Sequence, residues 1–476
     1  MTTAKRSSLR NLAAGVVLTL VFALALALTA PSAPAGAKVK LHGYITGRPD
    51  DQTVAILDDR LELTTASHIT GQDAAGEHAL TRTDLVPGML IEAEGQWLDH
   101  HKFFAEKIVV DLKDSEKQVH GTAYLQEEPA EATKIAAGQA AGLKADGYWL
   151  DVGPQTRREW DLAKARAGTP NPGAPGGGAS RSDATLAGFH ISYVGARRSD
   201  GRIAAERVEL GPPAPADAYK MPHDLEIVRG KDPQTGIGVV EFRQGKKVQG
   251  RMKLLAVPSV QEYVSHLGDS LLPSGINGTT RTLEFRFFVV EDPTINAASL
   301  PDGTLLINTG LLGAVDNEAQ LAFILSHEIA HVLQVHHRRE VEETRGKRIG
   351  LMIAGVAAGA FIGNAGLFMA EIGIASVVNG HQRELENQAD RLGLQNVIEH
   401  GYDPREAPKF SRMIIERYSE RTTSRLWSDH DSSLMRGSFL TVQLMRQYPD
   451  SHWDKAKRDT DAFQDMRDAM GPVKIE

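Results

Sequence analysis

Two histidines and a glutamate in one short apolar segment have the spacing of a metal site. His327 and His331 are four residues apart, and Glu328 follows the first of them in the sequence HEIAH. Because residues four apart lie on the same face of a helix, both imidazoles can bind one tetrahedral Zn²⁺. A carboxylate at Glu328 can accept a proton from a water whose pKa the metal lowers to about 7, and return it to a leaving amine. The pattern therefore predicts metal-assisted hydrolysis.

A buried helix with two hydrogen-bonded histidines and a structural glutamate would show the same five-residue pattern. The surrounding segment, residues 321–333, contains one glutamate and otherwise almost no charge, so it is expected to be a helix buried on nearly all sides. An isolated buried glutamate is costly unless it is paired or linked to a metal. The flanking residues therefore favour the metal site.

A third protein ligand is needed, and two candidates compete. His337 lies six residues after His331, but that arrangement requires a glycine at which the helix breaks, and Gln334 stands there. Glu386 is 55 residues downstream of His331 in the segment ENQAD, where a second helix is expected. A carboxylate from that helix would complete a His₂Glu site, and Asp390 one turn later could accept the free N–H of a ligand imidazole. Glu386 is the favoured ligand.

Several further motifs follow one another along the chain, in the order Asn296-Ala297, the run GTLLINTGLL, HEIAH followed by VLQVHHRR, and ENQAD. On these motifs the chain resembles the gluzincin metalloendopeptidases of the CAAX prenyl protease, HtpX and BepA type, in particular their periplasmic branch. The resemblance implies one Zn²⁺ per chain bound by His327, His331 and Glu386, with Glu328 as general base. It also implies a mostly helical zincin-type domain with a small sheet.

His430 and Arg436 match a later His-x₅-Arg signature of that family. In periplasmic members such a histidine can approach the zinc, and the arginine can stabilise the oxyanion. The family usually has proline after this histidine, whereas Asp431 follows it here. A histidine in a surface loop is the alternative for His430.

Leu305 and Ile307 alternate within residues 303–310, which predicts a short strand just before the metal-site helix. An exposed edge of this strand could pair with the backbone of an extended substrate. The alternative is a strand that only completes the sheet.

The chain has 476 residues and contains no cysteine. This excludes thiol nucleophiles, disulfides, cysteine-bound zinc and a lipidated cysteine anchor. Lys and Arg number 53 against 61 Asp and Glu, a formal net charge of −8, so a nucleic-acid partner is not expected.

The N-terminus is typical of a targeting segment. Lys5, Arg6 and Arg10 precede an apolar run at residues 12–30, and Ala35-Gly36-Ala37 offers a signal peptidase site. Export to the periplasm or another extracytoplasmic space is expected. The leader over residues 1–37 is either cleaved or retained as an inner-membrane anchor, because its apolar run is long enough to span a bilayer.

The next part of the chain is a diverged internal repeat. Segments 41–43 and 119–121 match at an offset of 78, and segments 87–91 and 187–191 match at an offset of 100. A glycine- and proline-rich stretch at residues 167–182 is an inserted loop. Alternating apolar positions predict half-buried strands in both copies.

The predicted fold class is α+β. Two β-barrel-like repeats, similar in strand count to the oligonucleotide/oligosaccharide-binding (OB) barrel, precede a zinc metalloprotease domain. The expected boundaries are 38–115 and 116–212 for the repeats, 213–252 for a linker and 253–476 for the protease domain. The repeats are either a docking module for an envelope protein or other partner, or a spacer.

Residues 349–370 carry no charge, and the apolar stretch continues to residue 378. A single membrane crossing would separate His331 from Glu386, and two crossings need about 40 apolar residues. A helical hairpin is therefore expected, either as a lid over the active site, which is favoured, or in contact with a membrane surface.

These features predict an exported zinc metalloendopeptidase that cleaves misfolded or unassembled envelope proteins in unfolded or extended form. The alternative is a non-proteolytic chaperone or assembly factor in which the zinc site is structural or latched.

Overall fold

A computed structural model describes residues 38–112, 118–126, 131–161, 187–273, 283–344, 383–418, 430–449 and 451–475. The leader, the inserted loop at residues 167–182 and the apolar stretch at residues 349–378 lie outside the described residues. In the part of the chain that is described, no helix is both long and apolar enough to cross a membrane.

The first repeat folds as an eight-stranded sheet. Its strands are β1 (Val39–Tyr44), β2 (Gly47–Asp50), β3 (Thr53–Ile56), β4 (Asp59–Glu62), β5 (His68–Asp73), β6 (Gly76–Ala79), β7 (Leu90–Trp97) and β8 (Lys102–Asp111). The pairing order is β1-β7-β8-β4-β3-β2, while β5 pairs with β8 and β6. Alternate residues of these strands, such as Leu41, Ile91, Phe103 and Ile108, form a common apolar core.

The second repeat folds as a five-stranded sheet. Its strands are β9 (Gln118–Tyr124), β10 (Ala141–Ala145), β11 (Tyr148–Glu159), β12 (Phe189–Arg197) and β13 (Ile203–Pro213), and a short helix α1 (Ala132–Ala136) precedes β10. The order is β10-β11-β13-β12-β9.

Both sheets contain the same bulged hairpin. In β7–β8 the register shifts at Gly95, and in β12–β13 it shifts at Gly195, 100 residues later. A Cβ at Gly95 would overlap the carbonyl oxygen of Phe104, and one at Gly195 would overlap that of Ala204, so the bulge requires glycine at both positions. The offset of 100 seen in the sequence is thus an offset between equivalent hairpins. The assignment of both sheets to OB-like barrels stays a prediction.

The prediction of a linker at residues 213–252 is wrong. This region contains a three-stranded antiparallel sheet of β14 (Leu225–Lys231), β15 (Gly238–Gln244) and β16 (Lys247–Lys253). Ile227, Val240 and Phe242 are buried, and they share a core with residues of the following sheet such as Phe288 and Leu306. Burial of these apolar side chains holds the segment in place, and the proline-rich stretch before it does not reveal that contact.

The C-terminal part combines helices with a mixed sheet of β17 (Arg286–Val290), β18 (Ala297–Ser299) and β19 (Thr304–Asn308). Its helices are α2 (Pro258–Ser270), α3 (Thr309–Ala314), α4 (Glu318–Leu333), α5 (His336–Thr344), α6 (Arg383–Glu399), α7 (Glu406–Tyr418), α8 (His430–Gln447) and α9 (Asp461–Met470). The described chain is therefore a mixed α/β protein.

The strand expected at residues 303–310 is present as β19, but it has no exposed edge. It lies in the middle of the sheet, parallel to β17 and antiparallel to β18, and all five of its residues are buried. Among the described strands, β18 is therefore the edge strand of this sheet that lies beside α4.

The first sheet packs on the C-terminal helices. Ile415 of α7 and Leu434 of α8 belong to the apolar core of that sheet. The guanidinium of Arg412 donates to both carboxylate oxygens of Asp59 at 3.1 and 3.2 Å. Buried apolar side chains and a two-point ion pair thus join the first repeat to the helices.

The N-terminus of α4 is held by a buried carboxylate. Glu318 accepts hydrogen bonds from Tyr402 at 2.5 Å, from Tyr263 at 2.8 Å and from Thr460. Burial raises the pKa of Glu318, but these hydrogen bonds lower it by a larger amount, so the pKa lies below its ordinary value. The carboxylate therefore stays ionised, which the positive end of the helix dipole also favours.

We expect Glu318→Gln to lower the free energy of unfolding by about 1–3 kcal/mol at pH 7, because charge-assisted hydrogen bonds are lost. Since the folded pKa lies below the unfolded value, the carboxylate stabilises the fold fully above the unfolded pKa, near 4.3, and loses this effect as the pH falls through the folded pKa. The difference from the wild type in urea midpoint should therefore be full at pH 7 and shrink below about pH 4, so that it is smaller at about pH 3.

Glu262→Gln on the exposed face of α2 is the control, and it should change the midpoint little at either pH. A deficit in Glu318→Gln that is as large at about pH 3 as at pH 7 would contradict the assigned role of the charge.

Candidate metal centre

Helices α4 and α6 run in opposite directions and form the centre together. Glu386, in the first turn of α6, lies opposite the end of α4, while Asn396 in its last turn donates to Ser326 at 2.9 Å. The helices approach closely at Gly393, where a Cβ would be 3.2 Å from the backbone nitrogen of His327. A small residue at this position allows the two backbones to come together.

Three side chains converge where the helices meet. The Nε2 atoms of His327 and His331 are 2.9 Å apart, and the nearest Glu386 oxygens lie 3.5 and 3.7 Å from them. Their donor atoms all lie within 4.8 Å of one another. Atoms that share a tetrahedral zinc at about 2.0–2.2 Å are about 3.3–3.6 Å apart, so this set fits a common metal ion.

The charges of the cluster also fit a cation. Glu328, Glu386 and Asp390 bring three carboxylates and Arg436 brings one guanidinium, so a divalent ion would balance their formal charges. Burial and the Arg436 charge lower the pKa of His327, but hydrogen bonds with Asp390 and Glu386 raise it more, to about 9. The pocket therefore favours positive charge between its carboxylates.

Asp390 orients His327. Its Oδ1 lies 2.9 Å from His327 Nδ1, which leaves Nε2 directed at the cluster. Arg436 of α8 donates to the same carboxylate through Nη2 at 2.5 Å and through Nε at 3.2 Å. Burial raises the pKa of Asp390, but Arg436 and His327 lower it by a larger amount. The pKa therefore lies below its ordinary value, and this fully buried carboxylate stays ionised.

Glu328 carries a buried oxygen, Oε1, that has no hydrogen-bond partner among the described residues. An unpaired buried carboxylate oxygen is costly in a purely structural role. The group is therefore placed to interact with a ligand or water that enters the site.

His337 does not join the cluster. Its Nε2 lies 2.8 Å from the carbonyl oxygen of Ser299, at the end of β18. The reason for which His337 was disfavoured is nevertheless wrong, because the helix does break at Gln334. Helix α4 ends at Leu333, and Val335 adopts a left-handed φ of 49° before α5 begins.

The break follows from a tertiary contact of Gln334. Its Oε1 accepts from the backbone nitrogen of Tyr124 at 2.7 Å, and its Nε2 donates to the carbonyl oxygen of Tyr124 at 2.8 Å. The amide thus pairs with the end of β9, which offsets the cost of ending the helix without glycine.

The two residues of the later signature are described to different extents. His430 is the first residue of α8, and its side chain lies outside the described residues. Arg436 lies within the site, where its Nη1 is 3.6 Å from Glu386 in addition to the contacts with Asp390. Both catalytic roles stay predictions.

The sequence interpretation missed two residues around the cluster. His336 Nδ1 lies 2.9 Å from His331 Nδ1, and His336 Nε2 lies 2.9 Å from the Oε1 of Gln388. The sequence did contain a signal for His336 and Gln388, because they belong to the motifs VLQVHHRR and ENQAD. Their spacing alone does not indicate that they contact each other.

A helix with HExxH and a carboxylate from a second helix form the ligand set of a metallopeptidase domain. Residues 258–458 match the model of Peptidase family M48. This match confirms the resemblance to metallopeptidases of this family that was seen in the sequence.

Relatives match over part of the chain. It is 30% identical over 168 residues to a putative beta-barrel assembly-enhancing protease of Vibrio cholerae, which covers 34% of each protein. It is 28% identical over 232 residues to the beta-barrel assembly-enhancing protease of Escherichia coli, 46% of each. It is 27% identical over 171 residues to mitochondrial metalloendopeptidase OMA1 of Schizosaccharomyces pombe, 33% of this chain and 49% of that one. The alignments thus span less than half the length of these relatives.

We expect substitution of a cluster residue to remove the metal and substitution of His337 to leave it. Glu386→Gln and His331→Ala should each lower the bound metal from about one ion per chain to well below half an ion per chain, because the two protein ligands that remain hold the metal weakly. Elemental analysis of desalted protein measures this.

His337→Ala is the matched control, because it removes a nearby buried imidazole whose Nε2 lies against the Ser299 carbonyl oxygen and not in the cluster. Equal metal loss in His337→Ala and Glu386→Gln would refute the ligand set.

Proposed function

We propose that this protein is a zinc-dependent metalloendopeptidase with one zinc per chain. The observation that carries the proposal is the His327, His331 and Glu386 cluster beside the unpaired carboxylate oxygen of Glu328. Two imidazoles and one carboxylate leave a coordination position open, which is the arrangement of catalytic rather than structural zinc.

The side chains have separate tasks in peptide hydrolysis. Bound zinc would supply Lewis acidity toward the attacking water and the peptide carbonyl. Glu328 accepts the proton of that water and returns it to the leaving amine nitrogen. Asp390 and Arg436 keep the ring of His327 in one orientation, so that Nε2 remains directed at the metal.

The substrate is an extended or unfolded segment. Strand β18 is short and pairs only with β19 among the described strands, and it lies beside α4. A sheet edge next to the site can pair with the main chain of a substrate, which selects for unfolded backbone more than for particular side chains.

We further propose that the substrates are misfolded or unassembled proteins of the cell envelope. The support is the N-terminal targeting pattern, together with the names of two relatives, which describe them as proteases that enhance β-barrel assembly. An extracytoplasmic location follows from the same pattern. A protein partner of the N-terminal sheets, contact with a membrane surface, and the roles of His430 and Arg436 toward zinc and the oxyanion belong to this proposal.

Glu328→Gln should retain zinc and lower the cleavage rate of an unfolded protein such as casein by about 10²–10⁴, because the general base is lost. Cleavage is followed by the release of acid-soluble peptides, and zinc by elemental analysis.

Glu318→Gln is the matched control. It is the same substitution on the same helix, about 15 Å along the axis from Glu328, and it should cleave casein at nearly the wild-type rate at a temperature where it is folded. Equal activity in wild type and Glu328→Gln would refute the mechanism. A zinc-loaded wild type with no cleavage of any unfolded protein would favour the non-proteolytic chaperone.

A further inference from the structure

One hairpin tip of the second N-terminal sheet rests on the metal-site helix α6. Asp146 and Gly147 connect β10 to β11, with φ values of 57° and 72° that match a two-residue type I′ turn. A Cβ at Gly147 would lie 2.5 Å from the Cβ of Arg391, so the tip rests directly on α6. This close approach brings Asp146 into the interior, where it is 3% exposed.

The buried carboxylate of Asp146 is fully engaged. Its Oδ1 accepts from Arg391 at 2.8 Å and from the Nε2 of Gln388 at 2.5 Å, and its Oδ2 accepts from Tyr193 at 2.9 Å. The same Gln388 nitrogen donates to the backbone oxygen of Thr122 in β9 at 2.8 Å. Two acceptors on this side of Gln388 fix the orientation of its amide.

A hydrogen-bond chain leads from this amide to a metal-cluster residue. With its nitrogen directed at the sheet, Gln388 presents Oε1 to His336 Nε2 at 2.9 Å, and this oxygen can only accept. His336 therefore carries its proton on Nε2, and its Nδ1 accepts from His331 Nδ1 at 2.9 Å. His331 in turn carries its proton on Nδ1, which leaves Nε2 unprotonated and directed at His327 and Glu386.

We propose that the second N-terminal sheet is a working part of the metal centre, because Asp146 acts through Gln388 and His336 to hold His331 in its metal-binding tautomer and orientation. This inference rests on the proposed zinc site. Gln388 and His336 are positioning residues, and the sheet is more than a docking module or a spacer. Each donor that links Asp146, Gln388, His336 and His331 faces an acceptor. Rotation of either imidazole by half a turn would therefore break one of these buried hydrogen bonds.

A second contact at the same interface offers a matched control. Gln334 makes two hydrogen bonds to Tyr124, two residues from Thr122 on the same strand, and it is fully buried. Gln334 and Gln388 therefore join the same strand to the same domain with the same kind of side chain, and it is Gln388 whose amide oxygen lies 2.9 Å from His336 Nε2.

The experiment compares Gln388→Leu with Gln334→Leu in the full chain. Zinc affinity is measured by competition with a chromophoric chelator, coordination by the visible spectrum of the Co²⁺ form, and stability by the Tm of the metal-free protein. We expect Gln388→Leu to weaken zinc binding about 10- to 100-fold and to shift the Co²⁺ bands, as removal of a partner of a ligand histidine does. Gln334→Leu should lower Tm by a similar amount and leave zinc affinity and spectrum unchanged.

Two further variants test the direction of the chain. His336→Phe should reproduce the loss of zinc affinity, and combining it with Gln388→Leu should add little, because both act on His331. Asp146→Ala should weaken zinc binding in the same direction, and should add nothing once Gln388 is replaced. If Asp146→Ala does not fold, the comparison of Gln388→Leu with Gln334→Leu still tests the inference.

Equal loss of zinc affinity in Gln388→Leu and Gln334→Leu would show that only the stability of the interface matters, and would overturn the inference. Unchanged affinity in Gln388→Leu would overturn it as well. Failure of the wild type to bind zinc would instead refute the proposed function.

Discussion

The packing of α4 against α6 is the contact on which the rest of the structure depends. It brings Glu386 to two histidines that precede it by more than fifty residues, and it requires the backbones to approach closely at Gly393. A side chain at that position would press on the backbone of His327. The geometry of the metal centre therefore depends on how these two helices pack. The two N-terminal sheets and α8 pack around the pair and support it.

Burial of charge is the main physical cost of that arrangement. Asp390 and Arg436 are both deeply buried, and each is tolerated because it forms two hydrogen bonds with the other. Arg436 is carried by α8, and α8 also supplies Leu434 to the core of the first N-terminal sheet. The second sheet adds Asp146, whose charge is matched by Arg391 of α6. The two β-rich repeats thus hold the helices that carry the buried ion pairs, and the repeats and the peptidase domain form one packed structure.

The errors of the sequence interpretation have a common origin. Gln334 was expected to continue a helix, as its intrinsic propensity favours, but two hydrogen bonds to Tyr124 hold it at a helix end. Residues 213–252 were expected to be a linker, but short strands there are held by apolar contacts with Phe288 and Leu306. In both places a contact with a distant part of the chain outweighed the local preference.

The amino-acid sequence by itself determined which side chains are the candidates for the chemistry. His327, Glu328 and His331 could be identified because helix periodicity is local, and the family motifs placed Glu386, Asp390 and Arg436 beside them in order. The tertiary structure alone decided how those residues are held. Gln388 reaches Thr122 and Asp146 across 266 and 242 residues of chain, and through His336 these contacts orient His331. Hydrogen bonds over such separations depend on how the sheet docks on α6, which no local pattern encodes.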